Sequence, residues 1–147
     1  MMVETTSLRD GHEISRVIKG GWQLAGDHGA VDRTEAIRDM EAFVDAGITT
    51  FDCADIYVGV EDMIGEFIAD LRRRRGASVA DRVCVHTKLV PDLTRLADLH
   101  ADEVEAIIDR SLKRLQVERL DLVQFFWWDL SLGNAVEGLD VLKDLQI

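Results

Sequence analysis

The stretch Ile48-Thr49-Thr50-Phe51-Asp52-Cys53-Ala54-Asp55-Ile56-Tyr57 holds the residue types best suited to chemistry. It begins as a β-branched and apolar run, which predicts a strand. It ends in a carboxylate, a small residue, a second carboxylate and a tyrosine. A core strand gains nothing from a charge at its end, because burying an unpaired carboxylate is costly. An acid at the C-terminal tip of a parallel strand lies where α/β folds place their chemistry. Asp52 and Tyr57, five residues apart, can then face one mouth. Two later runs answer this one. Val83–Lys88 ends in a lysine, and Leu120–Trp127 ends in aromatics. If these strands are neighbours in one parallel sheet, Asp52, Tyr57 and Lys88 meet on one rim. All three are side chains of the kind that hold or move protons.

The elements that must position them follow from patterning. Asp10-Gly11 is a hairpin turn signal between Val3–Leu8 and Ile14–Ile18. Gly20–Leu24 is a short candidate strand whose glycines allow close approach by a ligand or a neighbouring chain segment. Asp32 with Glu35 predicts a helix start, and Ala36, Ile37, Met40, Phe43 and Val44 give that helix its apolar stripe. Gly47 suits a left-handed helix end, and strand 48–53 follows. A second helix is expected over Val60–Arg73, with Met63, Ile64, Phe67, Ile68 and Leu71 buried. The run Arg72–Arg75 reads as a solvated helix C-terminus, where cations complement the dipole, rather than as a phosphate site. Strand 83–88, a third helix over Asp102–Gln116, strand 120–127 and a fourth helix from about Asn134 complete the order. Strands alternating with helices of this length imply a parallel sheet with right-handed crossovers. No Pro/Gly-rich linker divides residues 1–147, so the expectation is one domain.

Composition narrows the function. The 147 residues are 47% hydrophobic, enough for a packed core, and carry a net charge of −11. That charge argues against nucleic acid and against anionic membrane surfaces, both of which attract basic patches. No secretory leader and no membrane-length apolar run is read, and a cytoplasmic location is expected. Side-chain alternation sets Cys53 opposite to Asp52 and gives Cys84 the parity of Lys88, so the two cysteines are expected as unpaired, buried, reduced thiols. His86 reads as a packing histidine, and no metal-ligating set is assigned.

At this point the residues resemble a known family, the aldo-keto reductases. The matching pieces are Gly20-Gly21-Trp22, then Phe51–Glu61 with Gly65, then Thr87-Lys88, then Ser111–Gln124, in the family's order and spacing. The resemblance implies an NADP(H)-dependent enzyme on a (β/α)8 barrel, acting on a small carbonyl or alcohol. It implies Tyr57 as the proton donor, Lys88 as the ammonium beside it and Asp52 as the carboxylate that holds the lysine. It further implies that Gly21, Trp22, Asp52 and Tyr57 lie at the nicotinamide end of the cofactor, and that Trp22, Phe126 and Trp127 line the substrate pocket. The family's catalytic histidine should follow Gln124-Phe125, where this chain has Phe126. Phenylalanine can neither donate nor accept a hydrogen bond. A complete barrel takes roughly 250 residues; this chain corresponds to the N-terminal half, a hairpin and about four βα units. The later strands and loops of the family supply most of the cofactor grip. A half-barrel exposes strand edges, and a homodimer through those edges is the expected remedy. The alternative expectation is a non-catalytic half-barrel used for binding or assembly.

Overall fold

A computed structural model describes residues 3–26, 29–132 and 135–145. The chain opens with an antiparallel hairpin of β1 (Thr5–Arg9) and β2 (His12–Ser15). Gly11, at φ +76°, supplies the left-handed residue its tight turn requires. Beyond the hairpin lies a four-stranded sheet in the order β3 (Ile18–Gly20), β4 (Thr50–Asp52), β5 (Cys84–Leu89), β6 (Leu122–Phe125), with every pairing parallel. The connecting helices are α1 (Arg33–Asp45), α2 (Val60–Arg75) with the short α3 (Ala77–Ala80), and α4 (Ala101–Leu115). Helix α5 (Ala135–Asp144) follows β6. The expected start of that last helix, Asn134, lies outside the described residues.

Each helix begins and ends for a local reason. The Asp32 carboxylate accepts the Glu35 amide at 3.0 Å and caps α1, and Gly47 at φ +90° turns the chain into β4. The four arginines closing α2 are all paired: Arg72 with Asp81, Arg73 with Asp70, Arg74 with Glu41 and Asp70, and Arg75 with Glu41 and Asp45. They tie the end of α2 to α1 and to the turn before β5, and form no open anion site. The helix end is solvated, as expected, and ion-paired as well.

Alternation along the strands separates two faces. Phe51, Val85 and Leu89 point to the helices and are buried, with Met40, Val44, Ile64, Phe67, Leu71 and Leu115 among the residues that form the core there. The register places Ile18, Thr50, Asp52, Cys84, His86, Lys88, Leu122 and Gln124 on the opposite, concave face. That face is covered only in part; Ile18 is 41% exposed.

One expected strand is displaced. Gly20–Leu24 is not a strand: β3 ends at Gly20, and Trp22–Ala25 forms a 3-10 turn. The partner strand β4 ends at Asp52, so the ladder stops with a last bond from the Gly21 amide to the Asp52 carbonyl at 2.8 Å, and the chain curls away. The hairpin is also shorter than expected: its ladder ends with Ser15 opposite Thr5, and Ser15 at the same time grips β4. Its Oγ accepts the Thr49 and Thr50 amides, and its amide donates to Thr50 Oγ1. No described helix is long and apolar enough to cross a membrane.

Candidate functional site

The C-terminal ends of β4, β5 and β6 bring three polar side chains together. Lys88 Nζ lies 2.6 Å from Asp52 Oδ2 and donates to the Cys53 carbonyl at 2.9 Å. The other Asp52 oxygen accepts from Gln124 Nε2 at 3.0 Å. Asp52 is therefore held from two strands and holds the lysine in turn. The pair is only partly buried, at 20% and 28% side-chain exposure, so both partners keep contact with solvent.

Tyr57 stands beside this pair. Its ring centroid is 5.4 Å from Lys88 Nζ, within the range in which an ammonium is attracted to an aromatic face. The loop that presents it is built by its own backbone: the Tyr57 amide donates to the Ala54 carbonyl, the Val60 amide to the Tyr57 carbonyl, and Gly59 takes φ +75° to start α2. The structure thus assembles the three residues that the sequence pattern selected.

Behind them lies a buried polar network that the pattern did not single out. Asp55, nearly buried, accepts the Val90 amide at 2.9 Å, and its own amide donates to the Lys88 carbonyl. Burial pushes its carboxyl above the usual range, opposed by the Val90 bond and by Arg110 at 3.4 Å. Glu61 is 1% exposed; it accepts the Thr87 hydroxyl at 2.7 Å and faces Arg114 at 3.2 Å. Arg114 also donates to the Asp55 carbonyl at 2.8 Å. Thr87 precedes Lys88 in sequence and the Asp55 amide donates to the Lys88 carbonyl, so this network fixes the lysine from behind. Its members in the sequence are two acids, Asp55 in the loop after β4 and Glu61 in the first turn of α2, and two arginines of α4, Arg110 and Arg114.

The aromatic residues divide. Trp22, 52% exposed, follows directly on the Gly21–Asp52 hydrogen bond at the rim. Phe126 is also exposed and meets Trp128 edge to face, centroids 4.9 Å apart; Trp128 Nε1 donates to the Pro91 carbonyl at 2.9 Å. Trp127 faces the other way. Its ring packs on Phe125 in the cluster of Leu89, Leu99 and Val104, and its Nε1 donates to the carbonyls of Asp129 and Leu132. Period-two alternation carries Trp127 to the helix side and leaves Phe126 on the concave side, so the structure does not bring Trp127 to the pocket with Trp22 and Phe126. Gly21 is a packing glycine: a Cβ there would lie 2.8 Å from Val60 Cγ1 and 2.9 Å from the Asp52 carbonyl oxygen.

Both cysteines are free and lie on opposite faces of the sheet, as parity requires. Cys53 is buried and its thiol is pushed up to about 12, chiefly by desolvation. Cys84 is half-buried rather than buried, because its side of the sheet has no helix over it. Burial first, and the Asp121 carboxylate second, push its thiol up to about 12. His86 is a buried histidine whose ring stacks on His12 of the hairpin. Burial, with His12 beside it, lowers its pKa.

A half-barrel of parallel βα units with its polar site at the strand C-termini defines a (β/α)8-barrel class of protein, the class whose active sites lie at that end. The particular family is shown by comparison. The model of the Aldo/keto reductase family matches residues 16–146, and the chain belongs to that family. It is 33% identical to the aldo-keto reductase YhdN of Bacillus subtilis over 97% of this chain and 43% of that protein. It is 32% identical to the 6-dehydroglucose reductase of Novosphingobium aromaticivorans over 91% of this chain and 44% of that protein. Among solved structures, a Bombyx mori aldo-keto reductase in complex with NADP superposes with a TM-score of 0.71 at 20% identity, over 99% of this chain and 48% of that one. The chain therefore spans about half the length of the relatives it matches.

Proposed function

We propose that this chain carries the proton-donating half of an NADP(H)-dependent oxidoreductase site that interconverts a small carbonyl and its alcohol. The observation that carries this reading is the Asp52–Lys88 pair at 2.6 Å with the Tyr57 ring beside the ammonium. The residues present suit the nicotinamide end of such a cofactor. Gly20, at the tip of β3, has open space where a Cβ would stand, and the exposed ring of Trp22 is near it in sequence. Of the described cations, Arg95, Arg110 and Arg114 are engaged with Glu103, Asp55 and Glu61 rather than free for its phosphates. NADP(H), when bound, supplies or accepts the hydride at the carbonyl carbon. In the reducing direction, the Tyr57 hydroxyl gives its proton to the carbonyl oxygen. The phenolate left behind is stabilised by the Lys88 ammonium, and Asp52, steadied by Gln124, keeps that ammonium charged and in place. A proton from solvent then restores the phenol.

Tyr57→Phe is the decisive variant. It removes the transferable proton and leaves the ring in its packing. Carbonyl-dependent NADPH oxidation should vanish while the melting temperature stays that of the parent. Equal rates in parent and variant would overturn the proposal.

The reading needs further strands to close the concave face along the edges β3 and β6. A second copy of this chain, paired edge to edge, is the proposed source, and the assembled protein is taken to work in the cytoplasm. Sedimentation at micromolar concentration should then give a dimer; a monomer with a cooperative melt would exclude it. A second reading, a non-catalytic half-barrel for binding or assembly, is favoured by one observation: Phe126 puts a ring without polar atoms where the family places a histidine. NADPH titration against the fluorescence of Trp22, Trp127 and Trp128 separates the two readings. Saturable quenching supports the oxidoreductase, and none up to millimolar cofactor supports the binding module.

A further inference from the structure

At the other end of the sheet, beneath Lys88, the hairpin and β5 bring three borderline-soft ligands together. His12 Nε2 is 3.1 Å from His86 Nε2 and 3.9 Å from Cys84 Sγ, and the ligand atoms of all three lie within 4.8 Å of one another. We propose that His12, Cys84 and His86 form a divalent transition-metal site, best suited to zinc, that pins the N-terminal hairpin to the floor of the sheet.

The spacing fits the ion. A tetrahedral zinc with nitrogens at ~2.0–2.1 Å and sulfur at ~2.3 Å sets its two nitrogens ~3.3 Å apart and nitrogen from sulfur ~3.6 Å apart. Two imidazoles and one thiolate match zinc or cobalt rather than calcium or magnesium, which take oxygen. The positions follow from the fold. Cys84 and His86 share the concave face of β5 because strand side chains alternate. His12 arrives from the start of β2, and the hairpin carries it across that face. Its ring stacks on His86 with centroids 5.3 Å apart and planes inclined at 23°.

The surroundings suit a cation. Asp121 is held by the Val85 amide at 2.8 Å and lies beside the Cys84 sulfur, where its charge balances the excess positive charge of a zinc–thiolate unit. A cavity of about 950 Å³ opens onto His12, Cys84 and Asp121 and gives solvent a path to the fourth ligand position, which water fills. Asp10, Glu13 and Asp81 also line it, against two arginines, Arg82 and Arg119. On binding, the ion takes the place of the thiol proton, which leaves to solvent; no oxidation state changes. His12 lies more than seventy residues from Cys84 and His86 in sequence, so no short motif announces the full set.

The test uses the untagged chain, stripped with chelator and dialysed against zinc, with bound metal counted per chain. One zinc per chain is expected, with a melting temperature that rises with free zinc. Cobalt in its place should show the sulfur-to-cobalt charge-transfer band of a thiolate ligand. His12→Gln, on the exposed hairpin where folding is least at risk, and Cys84→Ser should each weaken uptake by more than the ~10–100-fold that loss of an outer partner costs, and Cys84→Ser should abolish the band. Cys53→Ala and His100→Gln should leave both unchanged. Absence of stoichiometric uptake, or uptake indifferent to His12→Gln and Cys84→Ser, would overturn the site and leave a plain histidine–histidine hydrogen bond.

Discussion

On the proposed reading, a single side chain decides how much catalysis the rim can deliver. Asp52, Lys88 and Tyr57 would provide a proton donor and its stabilisation, and Phe126 would offer the carbonyl oxygen only apolar surface. Loss of one donor of the oxyanion-hole kind costs roughly 10²–10³ in rate. Phe126→His should therefore raise kcat/KM for carbonyl reduction by about that factor, measured as carbonyl-dependent NADPH oxidation at matched protein concentration. No gain would mean that position 126 does not face the reacting oxygen. Asp52→Asn tests the other side of the site. It keeps the size and the Gln124 contact region but removes the charge that holds Lys88. The expected result is a fall in kcat with little change in melting temperature, because the pair is partly solvated.

Between elements, close approach is set by what is absent. A Cβ on Gly65 would lie 2.4 Å from the Arg114 carbonyl oxygen and 2.8 Å from that of Leu115, so α2 and α4 touch backbone to backbone there. This contact keeps Glu61 of α2 within reach of both Thr87 of β5 and Arg114 of α4. Gly65→Ala improves helix propensity locally but forces the helices apart. A net loss of about 1–3 kcal/mol is expected, as for other overpacked cores, read as a lowered denaturant midpoint. Because the Glu61 network braces Lys88, activity should fall along with stability. A neutral or stabilising effect would show that α2 and α4 are not packed this closely.

For the whole molecule, charge governs the response to acid. Glu41, Asp70, Asp92, Glu103 and Asp129 are all held below the usual carboxylate range, Glu41, Asp70 and Glu103 by arginine hydrogen bonds first and the others by hydrogen bonds from Thr94 and Ser131. A carboxyl whose pKa is lowered on folding adds stability above its unfolded value, which is lost as pH falls through the folded value. Asp55, pushed up by burial, has the opposite sign and loses stability as pH rises through its own range. The five lie at the surface and are screened by solvent, so each contributes little. Stability should therefore be flat near neutrality and fall gradually as pH drops below about 4, with urea midpoints as the measure. A midpoint that rises on acidification would contradict the ion pairing around α2.

Much of this was legible in the sequence because its causes are local. Apolar periodicity, the Asp32 cap, the Asp10-Gly11 turn and the polar tips of strands 48–53 and 83–88 act within a few residues, and the order of elements follows from them. The meeting of Asp52 with Lys88 was readable because parallel neighbours present their C-terminal ends on one side. Other features were decided only when the chain closed on itself. Trp22 lies on a 3-10 turn rather than a strand because the ladder of β4 runs out at Asp52. Trp127 turns to the helices while Phe126 stays on the open face, since one residue of register chooses the side. The Glu61–Arg114–Thr87 brace and the His12–Cys84–His86 cluster join segments tens of residues apart. Their energies depend on distance and burial in space, and neither quantity is carried by spacing along a chain.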